Sequence, residues 1–231
     1  AYDLSVAVTR AYGWYNRNAA INPFQIEGKR TVGHELAEQS RVRGRVPDWV
    51  VFSMGDGCTI AGAWKGLREF YDLGYVDDHP KMLGVQAEGA TAIHDAFHGH
   101  DDAEAVAETL ADSISVARPR NTVKACRALE ESGGTSVLVS DEDILEAEVL
   151  LGSSEGIFAE PAAAAPIAGV QEALDRGIVG SDETVVVVST GFGLKDTEGA
   201  KKATGGVERV DPDISEVERL YGTAPEAAAD D

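Results

Sequence analysis

Apolar positions recur along this chain with two periods, one typical of helices and the other typical of buried strands. Helical spacing predicts helices over residues 3–13, 30–39, 60–72, 87–98, 121–132 and 162–176, with one more that Asp141 begins as its cap. Short β-branched runs predict strands over residues 49–53, 81–86, 135–139 and 183–188. Strands that alternate with helices of this length predict an α/β fold, with a doubly wound, mostly parallel sheet in a three-layer αβα arrangement.

The length and the net charge of the chain exclude several classes of protein. The chain has 231 residues and a formal net charge of −20, from 40 acidic and 20 basic side chains. Nucleic acid and an anionic membrane surface would both repel such a chain, so neither is an expected partner. No apolar run approaches the length of a membrane span and residues 1–4 show no secretory signal, so we expect a cytoplasmic protein that acts on a small molecule.

The acidic residues are spread along the whole chain, and lysine is scarce, with seven lysines against thirteen arginines. Dispersed charge of this size makes a compact fold repel itself unless salt screens it, a property that halophilic proteins exploit. We therefore predict a haloarchaeal-like protein that high salt stabilises. The alternative is an ordinary acidic protein of the cytosol.

A first glycine-rich turn follows the predicted strand at residues 49–53. Residues 55–59 read Gly-Asp-Gly-Cys-Thr and lead into a predicted helix. Backbone N–H groups at the start of a helix can bind a phosphate, and glycine lets the phosphate approach them. The spacing matches neither the P-loop nor the dinucleotide fingerprint. The pattern alone leaves open a tight turn that binds nothing.

A second glycine turn follows the most β-like run of the chain, residues 183–188. Residues 190–196 read Thr-Gly-Phe-Gly-Leu-Lys-Asp. Ligands of doubly wound sheets bind outside the carboxyl ends of strands, so the two turns could border one crevice. There the Thr190 hydroxyl could bond a ring nitrogen of a ligand, or Thr190 could be an ordinary turn residue.

Together these turns resemble threonine synthase, of the fold-type II (tryptophan synthase β-like) family of pyridoxal-phosphate enzymes. The segment at 190–196 resembles its Thr-Gly-His-Gly-Leu-Lys-Asp motif, and 55–59 resembles its phosphate loop. Residues 22–31 resemble its Asn-Pro-x-Arg-x-Glu-Gly-x-Lys-Thr stretch, and 156–162 match Gly-x-Phe-x-Glu-Pro-Ala. Residues 85–89 (Val-Gln-Ala-Glu-Gly) are also typical.

The resemblance implies a role for each matching position. The backbone amides that would hold the phosphate of pyridoxal 5′-phosphate belong to Gly55, Asp56, Gly57, Cys58 and Thr59. The Thr190 hydroxyl would meet the pyridine nitrogen, and a neutral partner there moderates the electron sink in a way that suits elimination and replacement chemistry. Asn22, Glu27 and Lys29 would border the substrate.

The resemblance also implies three regions. Residues 1–30 would be the end of a small domain and the crossover from it, and residues 31–196 the core of the cofactor-binding large domain. Residues 197–231 would form a C-terminal extension in which periodicity fades, with a frayed tail at residues 224–231.

Several positions depart from the family's motifs. Gln25 stands where the motif has arginine, Phe192 replaces a histidine, and Cys58 and Thr59 replace a glycine and an asparagine. None of the seven lysines lies in the Ser-x-Lys-Asp-like context of the lysine that binds the cofactor as a Schiff base. We therefore expect the C-terminal portion of an enzyme, which should not turn over without an N-terminal half as its partner.

The implied reaction converts O-phospho-L-homoserine and water to L-threonine and phosphate, so the small-molecule partner would be a phosphorylated amino acid. A homodimer is compatible with this prediction. Two alternatives stay open: a threonine or serine dehydratase of the same fold, and a non-catalytic remnant.

One histidine cluster offers a different chemistry. His94 and His98 are four residues apart on a predicted helix, which is zinc-ligand spacing, and His100, Asp95, Asp101 and Asp102 lie nearby. No glutamate stands between them in the zincin position. A solvated helix end is the preferred interpretation, and no metal site is predicted.

Overall fold

Four parallel strands form the centre of the molecule in a computed structural model that describes residues 2–100, 106–205 and 208–222. Their order across the sheet is β3-β2-β1-β4. The strands are β1 (Trp49–Ser53), β2 (Lys81–Ala87), β3 (Thr135–Val139) and β4 (Val185–Val187). The predicted parallel sheet is confirmed, and β1 and β3 have the predicted bounds.

Helices connect and flank these strands. They are α1 (Tyr2–Tyr12), α2 (Phe24–Arg43), α3 (Cys58–Asp72), α4 (Ala92–Phe97), α5 (Thr122–Ser132), α6 (Asp141–Leu150), α7 (Pro161–Asp175), α8 (Thr197–Thr204) and α9 (Ile214–Tyr221). Helix α2 begins six residues before its predicted start and is continuous through residue 30, the proposed regional boundary. Helices α8 and α9 form where periodicity fades, and residues 224–231 lie outside the described part of the chain.

Helix α4 is shorter than the predicted 87–98 because a turn occupies its first residues. The amide of Ala90 bonds the carbonyl of Ala87, and the Glu108 amide bonds the carbonyl of Gly89 at 2.8 Å. A Cβ at Gly89 would lie 1.8 Å from the Glu108 carbonyl oxygen, so only glycine allows this approach.

The predicted cap of α6 is wrong by one residue. Ser140 precedes the helix, and its hydroxyl accepts a hydrogen bond from the Asp143 amide at 3.1 Å while the Asp143 carboxylate accepts one from the Ser140 amide. This reciprocal pair is a capping box. The Asp141 carboxylate instead accepts a bond from the Leu110 amide at 3.0 Å, which ties α6 to the segment before it.

Two apolar cores, one on each face of the sheet, confirm the three-layer arrangement. Side chains of β1 alternate between them: Trp49 and Val51 pack with α6 and α7, and Val50 and Phe52 pack with α2, α3, α4 and α5. Such double burial is typical of parallel sheets. No helix in the described part of the chain is long and apolar enough to cross a membrane.

Strand β4, at one edge of the sheet, is shorter than the predicted 183–188. It pairs with β1 over three residues, and all three are only partly buried. β-branched composition favours strand structure, whereas the length of a strand depends on how many partners it finds.

Candidate functional site

The two glycine turns emerge side by side from the same edge of the sheet. Strands β1 and β4 are parallel neighbours with Val51 opposite Val187, and the Val188 amide bonds the Val51 carbonyl at 3.0 Å. Their carboxyl ends, and the turns that follow them, therefore lie next to each other, as the predicted crevice requires.

The first turn presents unengaged backbone donors at the start of α3. Within the described residues, no amide of residues 55–59 donates a hydrogen bond to another backbone group or side chain. Gly57 has a φ of +85°, and a Cβ there would lie 2.9 Å from the Ala125 Cβ. The glycine thus lets the chain reverse tightly against α5.

Asp56 holds a neighbouring segment against this turn. Its carboxylate accepts hydrogen bonds from the Arg120 amide at 2.7 Å and from the Asn121 side-chain amide at 2.6 Å. A Cβ at Gly55 would lie 3.0 Å from the Ile114 Cα, so the chain from 113 to 121 lies directly on the turn. The Asp56 side chain therefore has a structural contact of its own, and only its backbone amide is left for a ligand.

Buried Gln86, in the typical segment at 85–89, supports the turn from the other side. Its side-chain amide donates to the Met54 carbonyl at 3.1 Å, and its oxygen accepts bonds from the amides of Ile93 and His94. These bonds join β1, β2 and the start of α4. The turn is thus fixed at both ends before any ligand binds.

An open cavity of about 750 Å³ borders the first turn. Its charged lining residues are Lys29, Asp56, Arg118 and Arg120. Lys29 reaches from α2 to donate a hydrogen bond to the Cys58 thiol, which is buried at the first residue of α3. The structure therefore brings predicted residue Lys29 to the predicted phosphate loop.

The other two predicted substrate residues have structural contacts. Buried Asn22 donates from its side-chain amide to Tyr15 and to the Asn16 carbonyl, and its oxygen accepts the Phe24 amide at the start of α2. Glu27 pairs with Lys65 of α3, and this hydrogen bond lowers the pKa of the Glu27 carboxyl below its ordinary value. Neither residue lines the cavity at the first turn.

The second turn packs against the Gly-Ile-Phe-Ala-Glu-Pro-Ala segment. Residues Ala159 and Phe192 form a β-bridge, and a Cβ at Gly191 would lie 2.1 Å from a carboxylate oxygen of buried Glu160. The Lys195 ammonium lies 2.9 Å from the same carboxylate. Thr190 is exposed at the mouth of this turn, and its hydroxyl bonds no described residue.

The histidine cluster lies at α4, where it packs against β3. The Nδ1 of half-buried His94 is 2.9 Å from the hydroxyl of buried Ser136, and exposed His98 is 3.4 Å from it. Burial, followed by the charge of His98, lowers the pKa of His94 from 6.5 to about 4. His94 is thus less solvated than predicted. Asp101 and Asp102 lie outside the described residues, and within those described no three ligating side chains converge on one point.

Sequence reasoning missed Arg118 and Arg120. They flank Pro119 in the segment that lies on the first turn, and both line its cavity. The available signal was a basic Arg-Pro-Arg triplet in a strongly acidic chain. Sequence did not show that this triplet meets residues more than sixty positions earlier.

The sequence is similar to those of known proteins. The family model described as "Pyridoxal-phosphate dependent enzyme" matches residues 1–191. Threonine synthase of Methanosarcina acetivorans is 41% identical over 209 residues, which are 89% of this chain and 51% of that protein. Threonine synthase of Methanocaldococcus jannaschii is 39% identical over 206 residues, which are 87% of this chain and 50% of that protein. This chain therefore spans about half the length of the curated relatives it matches.

Solved structures share the fold. A threonine deaminase from T.th. superposes with a TM-score of 0.65 at 27% identity, over 81% of this chain and 65% of that one. A threonine deaminase from Solanum lycopersicum superposes with a TM-score of 0.68 at 21% identity, over 87% and 55%. Since the family model matches well over half of its residues, this chain belongs to the pyridoxal-phosphate dependent enzyme family.

Proposed function

We propose that this chain carries the cofactor-phosphate site of a threonine synthase. The complete enzyme would convert O-phospho-L-homoserine and water to L-threonine and phosphate. The observation that carries this proposal is the row of unengaged amides at residues 55–59, one strand away from Thr190. The identity of 36–41% to threonine synthases favours this reaction over others of the same fold.

The residues present fit the cofactor. A phosphate ester needs several hydrogen-bond donors at the positive end of a helix dipole, and the start of α3 offers amides that no described protein group uses. The exposed Thr190 hydroxyl can bond the pyridine nitrogen without placing a charge beside it. When bound, pyridoxal phosphate supplies an electron sink for proton removal from carbon and for loss of the phosphate group.

Each residue then has one task. Gly55, Asp56, Gly57, Cys58 and Thr59 bind the cofactor phosphate through their amides, and Thr190 orients the ring. Lys29 faces the cavity beside them and binds the substrate, whereas Asn22 and Glu27 would act from the border by shaping α2. Covalent attachment of the cofactor needs a lysine from the half of the relatives' length that this chain does not span.

Reconstitution tests the proposal. The chain is coexpressed with a polypeptide that corresponds to that other half, and phosphate release from O-phosphohomoserine is measured with pyridoxal phosphate present. Release that disappears in the Thr190→Asp variant, which places a carboxylate at the ring nitrogen, supports the proposed roles. A matched Thr197→Asp variant, changed at an exposed residue of α8, should keep full activity.

Other outcomes identify the alternatives. Ammonia release from threonine without phosphate release from O-phosphohomoserine would indicate a dehydratase. Absence of cofactor absorbance in both the chain and the reconstituted pair would indicate a non-catalytic remnant. The proposal also includes a homodimer and a cytoplasmic location, which sedimentation of the reconstituted protein and cell fractionation test separately.

A further inference from the structure

The cavity beside the first turn is lined mainly by positive charges, although the molecule as a whole is strongly negative. The chain carries a net charge of −20, yet the charged residues that line this cavity are three cations and one carboxylate. The large cavity on the β4 side has the opposite lining, with Asp143, Glu146, Glu172 and Asp175 as its charged residues. A local cationic surface in an acidic protein attracts anions to one place and repels them elsewhere. We refer to the cavity formed around Lys29, Arg118 and Arg120 as the cationic cavity.

The single carboxylate of the cationic cavity is already engaged. Asp56 accepts its two hydrogen bonds from the Arg120 amide and the Asn121 side chain. These donors stabilise the carboxylate without using either guanidinium. Within the described residues, no carboxylate forms an ion pair with Arg118 or Arg120. Two planar cations are therefore available to a ligand.

The backbone that carries the two arginines is fixed against the first turn. The segment from 113 to 121 lies on Gly55 at one end and bonds Asp56 at the other. The Arg120 guanidinium also stacks over the Tyr2 ring, 4.4 Å from its centroid. Such support lowers the conformational entropy that a side chain loses when it binds.

We propose that the cationic cavity is a second phosphate-monoester site, separate from the amides of residues 55–59, with Arg118 and Arg120 as its binding residues. A guanidinium presents two parallel N–H donors that match two oxygens of a phosphate, and two of them balance a dianion. Lys29 adds a third positive charge at the wall nearest the turn. This inference rests on the proposed function, in which the second phosphate belongs to the substrate.

Calorimetric titration of the 231-residue chain with inorganic phosphate tests the site. The chain is first saturated with pyridoxal phosphate, so that the amides of the first turn are occupied. We expect one further phosphate to bind, and the Arg118→Gln/Arg120→Gln variant to bind it at least about tenfold more weakly, as the loss of charged hydrogen bonds implies. Its affinity for pyridoxal phosphate should be unchanged.

Two control variants separate the arginines' role from general charge. Arg43→Gln removes a positive charge at the end of α2, which precedes the start of β1 and does not line the cavity, and should leave phosphate binding unchanged. Arg118→Lys/Arg120→Lys keeps both charges but loses the paired donors, and should restore part of the affinity relative to Arg118→Gln/Arg120→Gln. Urea unfolding of each variant verifies that the fold is retained.

Three results would overturn the inference. In the first, saturating pyridoxal phosphate prevents all phosphate binding. In the second, the double arginine variant binds phosphate as tightly as the unchanged chain. In the third, Arg43→Gln loses as much phosphate affinity as the double variant. If pyridoxal phosphate does not bind at all, the proposed cofactor role of this chain fails. Phosphate titration without cofactor then tests the second site by itself. Weaker phosphate binding in the double variant supports the site, and unchanged phosphate binding overturns it.

Discussion

The two glycine turns resemble each other as sequences, but the structure supports them differently. The first follows β1, a strand flanked by β2 and β4, and is fixed by Asp56 and Gln86. The second follows the three-residue edge strand β4 and is held by the Glu160–Lys195 pair, whose lysine is 61% exposed. The first turn is therefore fixed by contacts on both sides, whereas the second depends in part on an ion pair that solvent weakens.

The largest expected difference comes from adding one methyl group to the first turn. Gly57→Ala must adopt a φ of +85° and place a Cβ 2.9 Å from the Ala125 Cβ. Backbone strain and overpacking together should lower the free energy of unfolding by about 3 kcal/mol. Urea unfolding measures this loss.

The matched control is Gly133→Ala, at the end of α5. Its φ is +67°, and nothing lies within 4 Å of the added Cβ. It should lose only the strain, about 1 kcal/mol. Equal losses in the two variants would mean that the first turn is not tightly packed against α5.

The second largest effect should be a loss of stability in acid, through His94, whose backbone amide bonds the Gln86 side chain that supports the first turn. The fold holds His94 uncharged because its pKa is about 4, whereas the unfolded chain takes up the proton near 6.5. Stability is therefore fully present above pH 6.5 and is lost as pH falls toward 4. After a discount for partial exposure, the loss should reach about 2 kcal/mol.

Thermal unfolding from neutral pH down to about pH 4 measures this loss against a His94→Gln variant. The variant keeps the backbone amide that bonds Gln86 but has no group that titrates. Its unfolding should therefore depend less on pH in this range. An unchanged pH profile would assign the acid sensitivity to the carboxylates of the chain.

A methyl group in the second turn should cost less than one in the first. Gly191→Ala meets the Glu160 carboxylate, which is the far end of a flexible side chain, and the backbone there needs no left-handed φ. We expect a loss of about 1.5 kcal/mol, mainly from displacing the buried carboxylate. Urea unfolding of Gly191→Ala beside Gly57→Ala gives the comparison, and a larger loss in Gly191→Ala would reverse it.

Salt should produce the smallest effect and act on both turns alike. Screening of the −20 charge should raise the melting temperature by about 2–4 °C in molar KCl, equivalent to about 1 kcal/mol. The difference between Gly57→Ala and Gly133→Ala should not change with salt, since it arises from packing. A melting temperature that does not rise with KCl would contradict the prediction that salt stabilises this protein.

Local pattern was enough to predict the central strands. Val50 and Phe52 face one core and Trp49 and Val51 the other, so β1 is apolar at every one of these positions and is easily recognised. Strand β4 was predicted too long because its four valines show β propensity but not how far the pairing with β1 extends. Similarly, Asp141 and Ser140 are both good caps by residue type, and only the contact with Leu110 decides between them.

The candidate site was predictable only where a motif carried it. Residues 55–59 and Thr190 were predicted from the two turns, and the sheet order places the turns together. The segment that bears Arg118 and Arg120 meets Asp56 across 64 positions of sequence. No periodicity reports a contact of that separation, because it depends on how complete elements pack.

The edge strand β4 also affects how this chain behaves during production. Its outer side has no strand partner in the described part of the molecule, and residues 185–188 are four consecutive valines. Such an edge is a template on which strands of other copies can add, and this leads to insoluble aggregates. When the chain is made alone, this edge stays uncovered, so we expect aggregation to limit its yield.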